Sequence, residues 1–170
     1  MEKLDAFTQA YLEAMLWSST VEPFAECASC GKDKPLAQFD TDGEGPEWTL
    51  CSDCGGDPSK NNYEPPADDN YDISDLSPEA FTRAIADCQK FQADNAKFID
   101  DEHLIHGRSS GECSVDEKAG HDFWLTRCGH GAGFWDGDWT DEADEALTSA
   151  SKAFGEQNLY VGDDGKLYLS

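Results

Sequence analysis

The sequence predicts an α+β fold: a small antiparallel sheet with about three packed helices and an inserted four-cysteine zinc knuckle. Three observations carry this. Apolar residues recur at helical spacing in three separate stretches, and a short hairpin pattern closes the chain. Two CxxC pairs fall between the first and second helical stretches. The expected core is built from residues 1–22 and 77–170, the insertion from 23–58, and the joining segment from 59–76.

The first helix is expected over residues 4–17, where Leu4, Phe7, Tyr11, Leu12, Met15 and Leu16 form one apolar stripe. In the cysteine region Gly31, Gly43, Gly45, Gly55 and Gly56 supply turns, and Trp48-Thr49-Leu50 suits a short strand. Residues 57–76 then carry three prolines and, after Tyr63, five acids. Charge repulsion and the Pro65-Pro66 pair favour an extended acidic connector there.

Ser77-Pro78-Glu79 is a helix start, with serine as cap, proline at the first helical position and glutamate at the positive end of the dipole. Phe81, Ile85, Cys88, Phe91, Asn95 and Phe98 continue that helix to about residue 99. Residues 100–120 read as loop because of Gly107, Gly111 and Gly120. Phe123 to Cys128 reads as a strand, Gly129-His130-Gly131 as a turn, and Ala132 to Trp135 as the returning strand. Thr140 caps a helix over 141–154, with Ala143, Ala146, Leu147, Ala150 and Phe154 inward and Gly155 as its stop. Leu159-Tyr160-Val161 and Lys166-Leu167-Tyr168-Leu169, joined through Gly162-Asp163-Asp164-Gly165, make the closing hairpin.

With 36 acidic and 12 basic residues among 170, the formal charge is −24. Residues 1–56 hold 11 acids and 3 bases, 57–102 hold 12 and 4, and 103–170 hold 13 and 5, so each third nets −8. Acidity is therefore spread over the whole surface. Such a field repels DNA, RNA and anionic membranes and attracts basic clefts on other proteins. Direct binding to nucleic acid or membrane is not expected. The N-terminal stretch lacks the character of a signal or transit peptide, and no run is long and apolar enough to span a bilayer, so a soluble intracellular protein is expected. Solubility or adaptation to high salt would also account for the charge.

Cys27, Cys30, Cys51 and Cys54 follow the pattern C-x2-C-x20-C-x2-C. Each CxxC lets two thiolates reach one ion without backbone strain, and two such pairs complete a tetrahedral shell. One structural zinc ion is expected. A pair of disulfides is disfavoured by the odd total of seven cysteines.

No catalytic set is identified. There is no Walker A sequence, no GxGxxG and no GxSxG. Cys128 and His130 do not make a nucleophile pair, because residues two apart on a strand and its turn do not reliably face each other, and the negative field raises a thiol pKa. His103 and His106 lack the third ligand and base of a metalloenzyme, and Asp163-Asp164-Gly165 is turn chemistry rather than a calcium loop. The densest group of reactive side chains is His121, Asp122, Arg127 and His130, the residues an enzyme or enzyme-accessory domain would use.

Cys27-Ala28-Ser29-Cys30-Gly31-Lys32-Asp33-Lys34-Pro35-Leu36, with Phe39 and Cys51-Ser52-Asp53-Cys54, resembles a zinc-knuckle module common in phage and bacterial proteins. That module often precedes an HNH nuclease, but no HNH motif follows here, and nuclease activity is not carried over. The segments Leu16-Trp17-Ser18-Ser19-Thr20, Asn70-Tyr71-Asp72-Ile73, Gly120 to Arg127, Gly129-His130-Gly131, Phe134-Trp135-Asp136 and Leu159 to Lys166 resemble a family of small acidic proteins of tailed bacteriophages. The resemblance implies a phage accessory protein in the cytoplasm of an infected bacterial host.

Charge and resemblance together lead to the expectation of a counter-defence or host-takeover inhibitor. Its carboxylates would stand in for phosphates on a basic, nucleic-acid-binding host protein such as a restriction or CRISPR effector. The expected partner-binding residues are Asp68, Asp69, Asp72 and Asp75 in the connector, and Asp136, Asp138, Asp141, Glu142, Asp144 and Glu145, six acids within ten residues and no base. A zinc ribbon that binds nucleic acid despite the charge is the remaining alternative, and it predicts a steeply salt-sensitive DNA affinity.

Overall fold

In the computed structural model, four helices and two short antiparallel ladders among the described residues make an α+β fold. The structure describes residues 3–21, 24–27, 29–30, 33–35, 52–54, 56, 66–105 and 113–170. The expected strand at Trp48-Thr49-Leu50, and the residues Cys51 and His106, lie outside them.

Helix α1 (Ala6–Ser18) begins at Asp5, whose carboxylate accepts from the Thr8 N–H at 2.8 Å. Its stripe buries Phe7, Tyr11, Leu12, Met15 and Leu16, as the spacing predicts. Strands β1 (Phe24–Glu26) and β2 (Asp33–Pro35) pair antiparallel, with Ala25 opposite Lys34, and the first CxxC occupies the connection between them.

Helix α2 (Pro78–Asn95) starts as expected, the Ser77 hydroxyl accepting from the Ala80 N–H. Its most buried face is rotated from the predicted one. Ala80, Ala84, Cys88, Phe91 and Asn95 are buried, while Phe81 and Ile85 sit half-buried at the flank.

Two sequence expectations fail together at helix α3 (Val115–Arg127), which replaces both the end of the predicted loop 100–120 and the predicted strand over 123–128. The helix starts in a reciprocal cap: Ser114 accepts from the Glu117 N–H, and the Glu117 carboxylate accepts from the Ser114 N–H. Beyond its first turn it is buried on nearly every side, so it shows no amphipathic stripe. Gly120 is a packing residue rather than a loop residue. A Cβ there would lie 2.0 Å from the Phe7 carbonyl oxygen, so only glycine lets α1 and α3 meet this closely. The strand expected over 132–135 is likewise absent, its place taken by turns in which Phe134 is buried.

Helix α4 (Asp141–Ala153) is capped by Thr140, and strands β3 (Leu159–Val161) and β4 (Leu167–Leu169) form the closing hairpin with Tyr160 opposite Tyr168. The helices pack chiefly on one another, α3 against α1 and α4, and the hairpin docks at the edge through β4 and α2. At the centre the Phe91 and Phe123 rings stack at 4.0 Å, with Tyr11, Phe134 and Phe154 around them.

The acidic connector is not extended over its described part. From Pro66 it forms two 3₁₀ turns, Ala67–Asp69 and Ile73–Asp75. Ala67 is fully buried and donates its N–H to the Ser19 carbonyl at 2.8 Å, and Leu76 bridges to Leu167. Burial of these two apolar residues outweighs repulsion among exposed acids, which water screens.

Candidate metal centre and surrounding polar sites

The strongest chemical cluster is a set of three thiols. Cys27 leaves β1 buried, Cys30 follows in the connecting turn, and Cys54 ends the 3₁₀ turn Ser52–Cys54. Their sulfur atoms lie within 4.8 Å of one another, close enough to hold a metal ion. Tetrahedral ligands at a Zn–S distance of about 2.3 Å stand about 3.8 Å apart, so the donor set fits a thiolate-bound ion. A turn between two paired strands fixes Cys27 and Cys30, and the separate 3₁₀ turn brings Cys54 to them. The structure thus gathers three of the four predicted ligands, and the fourth, Cys51, is outside the described residues.

A second cluster surrounds Asp122, whose side chain has no solvent exposure. Its Oδ1 meets Lys118 Nζ at 3.1 Å and His121 Nδ1 at 3.0 Å, and its Oδ2 accepts from Trp139 Nε1 at 2.8 Å. Lys118 also reaches Asp138 at 2.7 Å. Burial opposes the lysine charge, but the two carboxylates outweigh it and hold the ammonium above its ordinary value. The cluster ties α3 to the loop before α4.

Arg127 closes a third group. Its Nη1 donates to the Tyr11 hydroxyl at 2.8 Å and to Asp87 at 2.9 Å, while Nε and Nη2 donate to the carbonyls of Gly155 and Phe154. One guanidinium therefore joins α1 and α2 and caps the C-terminal end of α4. Every nitrogen is engaged within the fold, which gives Arg127 the contacts of a structural residue.

His130 lies elsewhere, in a polar groove of about 210 Å³ lined also by Ser18, Cys128 and Glu156. His130 Nε2 stands 3.4 Å from the Ser18 hydroxyl, the distance of a weak serine–histidine pair. Ser18, however, donates its proton to the Ala14 carbonyl at 2.6 Å and accepts from Trp124 Nε1 at 2.9 Å. The hydroxyl proton is committed to the helix, and the arrangement does not prepare a nucleophile. Burial pushes the neighbouring Cys128 thiol up, away from reactivity. The four residues expected for an enzyme thus divide among three environments: His121 with Asp122, Arg127 in the core, and His130 in the groove.

Of the predicted partner-binding acids, Asp68, Asp69, Asp141, Glu142 and Glu145 are exposed and make no ion pair among the described residues. Asp72 and Asp75 cap one another's turn, and bonding to Ser74 holds the Asp72 carboxyl below its usual range. Asp136 accepts from the Gly133 N–H, Asp144 accepts from the Thr148 hydroxyl, and Asp138 is paired with Lys118. The sequence reading missed Tyr11, Asp87 and Trp139 as polar partners. Only the Lys118-x-x-x-Asp122 pair carries a local signal, legible once 115–127 is read as helix.

The chain matches no family model, no curated protein and no solved structure. Among the described residues, no helix is long and apolar enough to cross a membrane.

Proposed function

We propose that this chain is an acidic, zinc-stapled binding protein whose partner is a basic nucleic-acid-binding protein. The sequence resemblance supports placing it as a phage accessory factor in the cytoplasm of an infected bacterium, where the partner is a host defence effector. The observation that carries the reading is the set of unpaired carboxylates at Asp68, Asp69, Asp141, Glu142 and Glu145, in a chain of formal charge −24. The cations Lys118 and Arg127 are already committed to Asp122, Asp138 and Asp87, so they do not offset this surface.

Such carboxylates compete with phosphates for the lysines and arginines of a nucleic-acid cleft, and the resulting complex is salt-sensitive. Zinc serves structure. Cys27, Cys30 and Cys54, with Cys51 as the fourth ligand by its CxxC spacing, give an all-thiolate shell that leaves no position for substrate.

Charge reversal tests the reading. Asp68→Lys with Asp69→Lys, and Asp141→Lys with Glu142→Lys and Glu145→Lys, are each expected to weaken association with a basic DNA-binding protein at low salt, with the melting temperature little changed. Unchanged affinity in both variants would remove the proposal's basis.

A further inference from the structure

A groove of about 380 Å³ runs between α1 and α3. Ala10, Glu13 and Trp17 line it from α1, and Glu117, Lys118 and His121 line it from α3. Trp17 is 47% exposed, one of few large apolar side chains so placed, and its indole stacks on the His121 ring at 5.7 Å and 24°. His121 is in turn held by Asp122 at 3.0 Å. A half-exposed indole is thus fixed in position by a ring that the buried Asp122 carboxylate holds.

The charges around the indole have one sign to offer. Glu13 is exposed, with Oε1 accepting from Gln9 at 2.6 Å, and Glu117 spends Oε2 on the Ser114 N–H, which leaves each carboxylate one further oxygen. Lys118, the only lysine or arginine among the described residues that line the groove, is already bound by Asp122 and Asp138. A stacked indole that shares its groove with two carboxylates, the lining lysine being already paired, is complementary to a planar cation. A guanidinium stacks on indole and pairs with carboxylate at once, whereas an ammonium is more tightly hydrated and does neither as well.

We infer that this groove is an anchor site for an arginine side chain of a basic protein partner, stacked on Trp17 and paired with Glu13 and Glu117. The inference rests on the proposed binding function and adds to it a residue-level preference that a diffuse acidic surface does not supply. Dispersed carboxylates attract lysine and arginine alike. The groove discriminates between them.

The test compares two fluorescently labelled peptides, both glycine–lysine sequences of one length, with a single central position as arginine or lysine. Fluorescence anisotropy at physiological ionic strength reads the ratio of their affinities. The arginine peptide is expected to bind roughly two- to thirty-fold more tightly, the range of a cation–π contact. Trp17→Ala, which removes the indole, is expected to bring the ratio to one with the melting temperature unchanged, and Ala10→Leu, which adds bulk to the α1 wall of the groove, is expected to reduce it. Trp17→Phe keeps part of it. Reversal of Asp141, Glu142 and Glu145 is expected to weaken both peptides and leave the ratio intact. A ratio that survives Trp17→Ala overturns the groove, as does equal binding of the two peptides or binding of neither. The charge reading then stands or falls on the cluster reversals alone.

Discussion

Arg127 shows how much of this fold rests on single polar side chains. Its side chain is 1% exposed and bonds Tyr11, Asp87 and two carbonyls. Removing one partner of a buried ion pair costs about 3–5 kcal/mol. Arg127→Met is accordingly expected to lower stability by about that amount, and chemical denaturation of the purified variant measures it. Tyr11 adds a pH signature. Burial pushes its phenol above the ordinary value of 10, against the pull of Arg127. A group whose folded pKa is raised contributes stability that is whole below its unfolded pKa and is lost as pH rises past it. Stability is therefore expected to fall above about pH 10, and Tyr11→Phe to flatten that decline while costing about 1.5–3 kcal/mol at neutral pH through the lost bond to a charged partner. Urea midpoints at neutral and alkaline pH decide both points. His130 lies outside this core bonding, and replacing it by alanine is expected to leave the melting temperature nearly unchanged.

At the scale of elements, the contact between α1 and α3 is the feature the sequence conceals. Helices α1, α2 and α4 were legible because one stripe of each is apolar and their caps, Ser77 and Thr140, are recognisable. The closing hairpin was legible from its turn. Helix α3 was not, because Phe123, Trp124, Leu125, Thr126 and Arg127 are all buried and a helix covered all round shows no 3.6-residue period. Its aromatic and β-branched residues imitate a buried strand, and Gly120 imitates a loop. The Ser114-x-x-Glu117 capping box was the available signal. The cluster of Cys27, Cys30 and Cys54 was legible because CxxC spacing is local, whereas Arg127's partners were not, because Tyr11 and Asp87 are distant in sequence. Gly120→Ala places a methyl group against the Phe7 backbone, so it is expected to destabilise by several kcal/mol, although alanine favours a helix by about 1 kcal/mol. A melt of Gly120→Ala above that of the wild type would show that the two helices do not meet as described.

The whole molecule couples two sources of order. The helical core has its own aromatic centre, whereas the proposed zinc site would order the segment carrying Cys27, Cys30 and Cys54, whose sulfur atoms lie close enough to hold an ion. Chelation, or Cys30→Ser, is expected to release residues 25–56 to proteolysis while the near-ultraviolet signal of Trp124 and Trp139 persists. Metal analysis of the purified protein is expected to return one zinc per chain. Over this scaffold lies the charge, spread evenly along the sequence, with Asp68, Asp69, Asp141, Glu142 and Glu145 exposed and outside any ion pair among the described residues. The most direct test of the central claim is capture of a partner by the tagged protein from nuclease-treated bacterial lysate, at low and high salt and with competing DNA. A basic nucleic-acid-binding protein, retained at low salt, released by high salt, displaced by DNA and lost with the Asp141, Glu142 and Glu145 reversal, is the predicted result. Elution of the protein alone, or capture that neither salt nor DNA disturbs, would contradict the account.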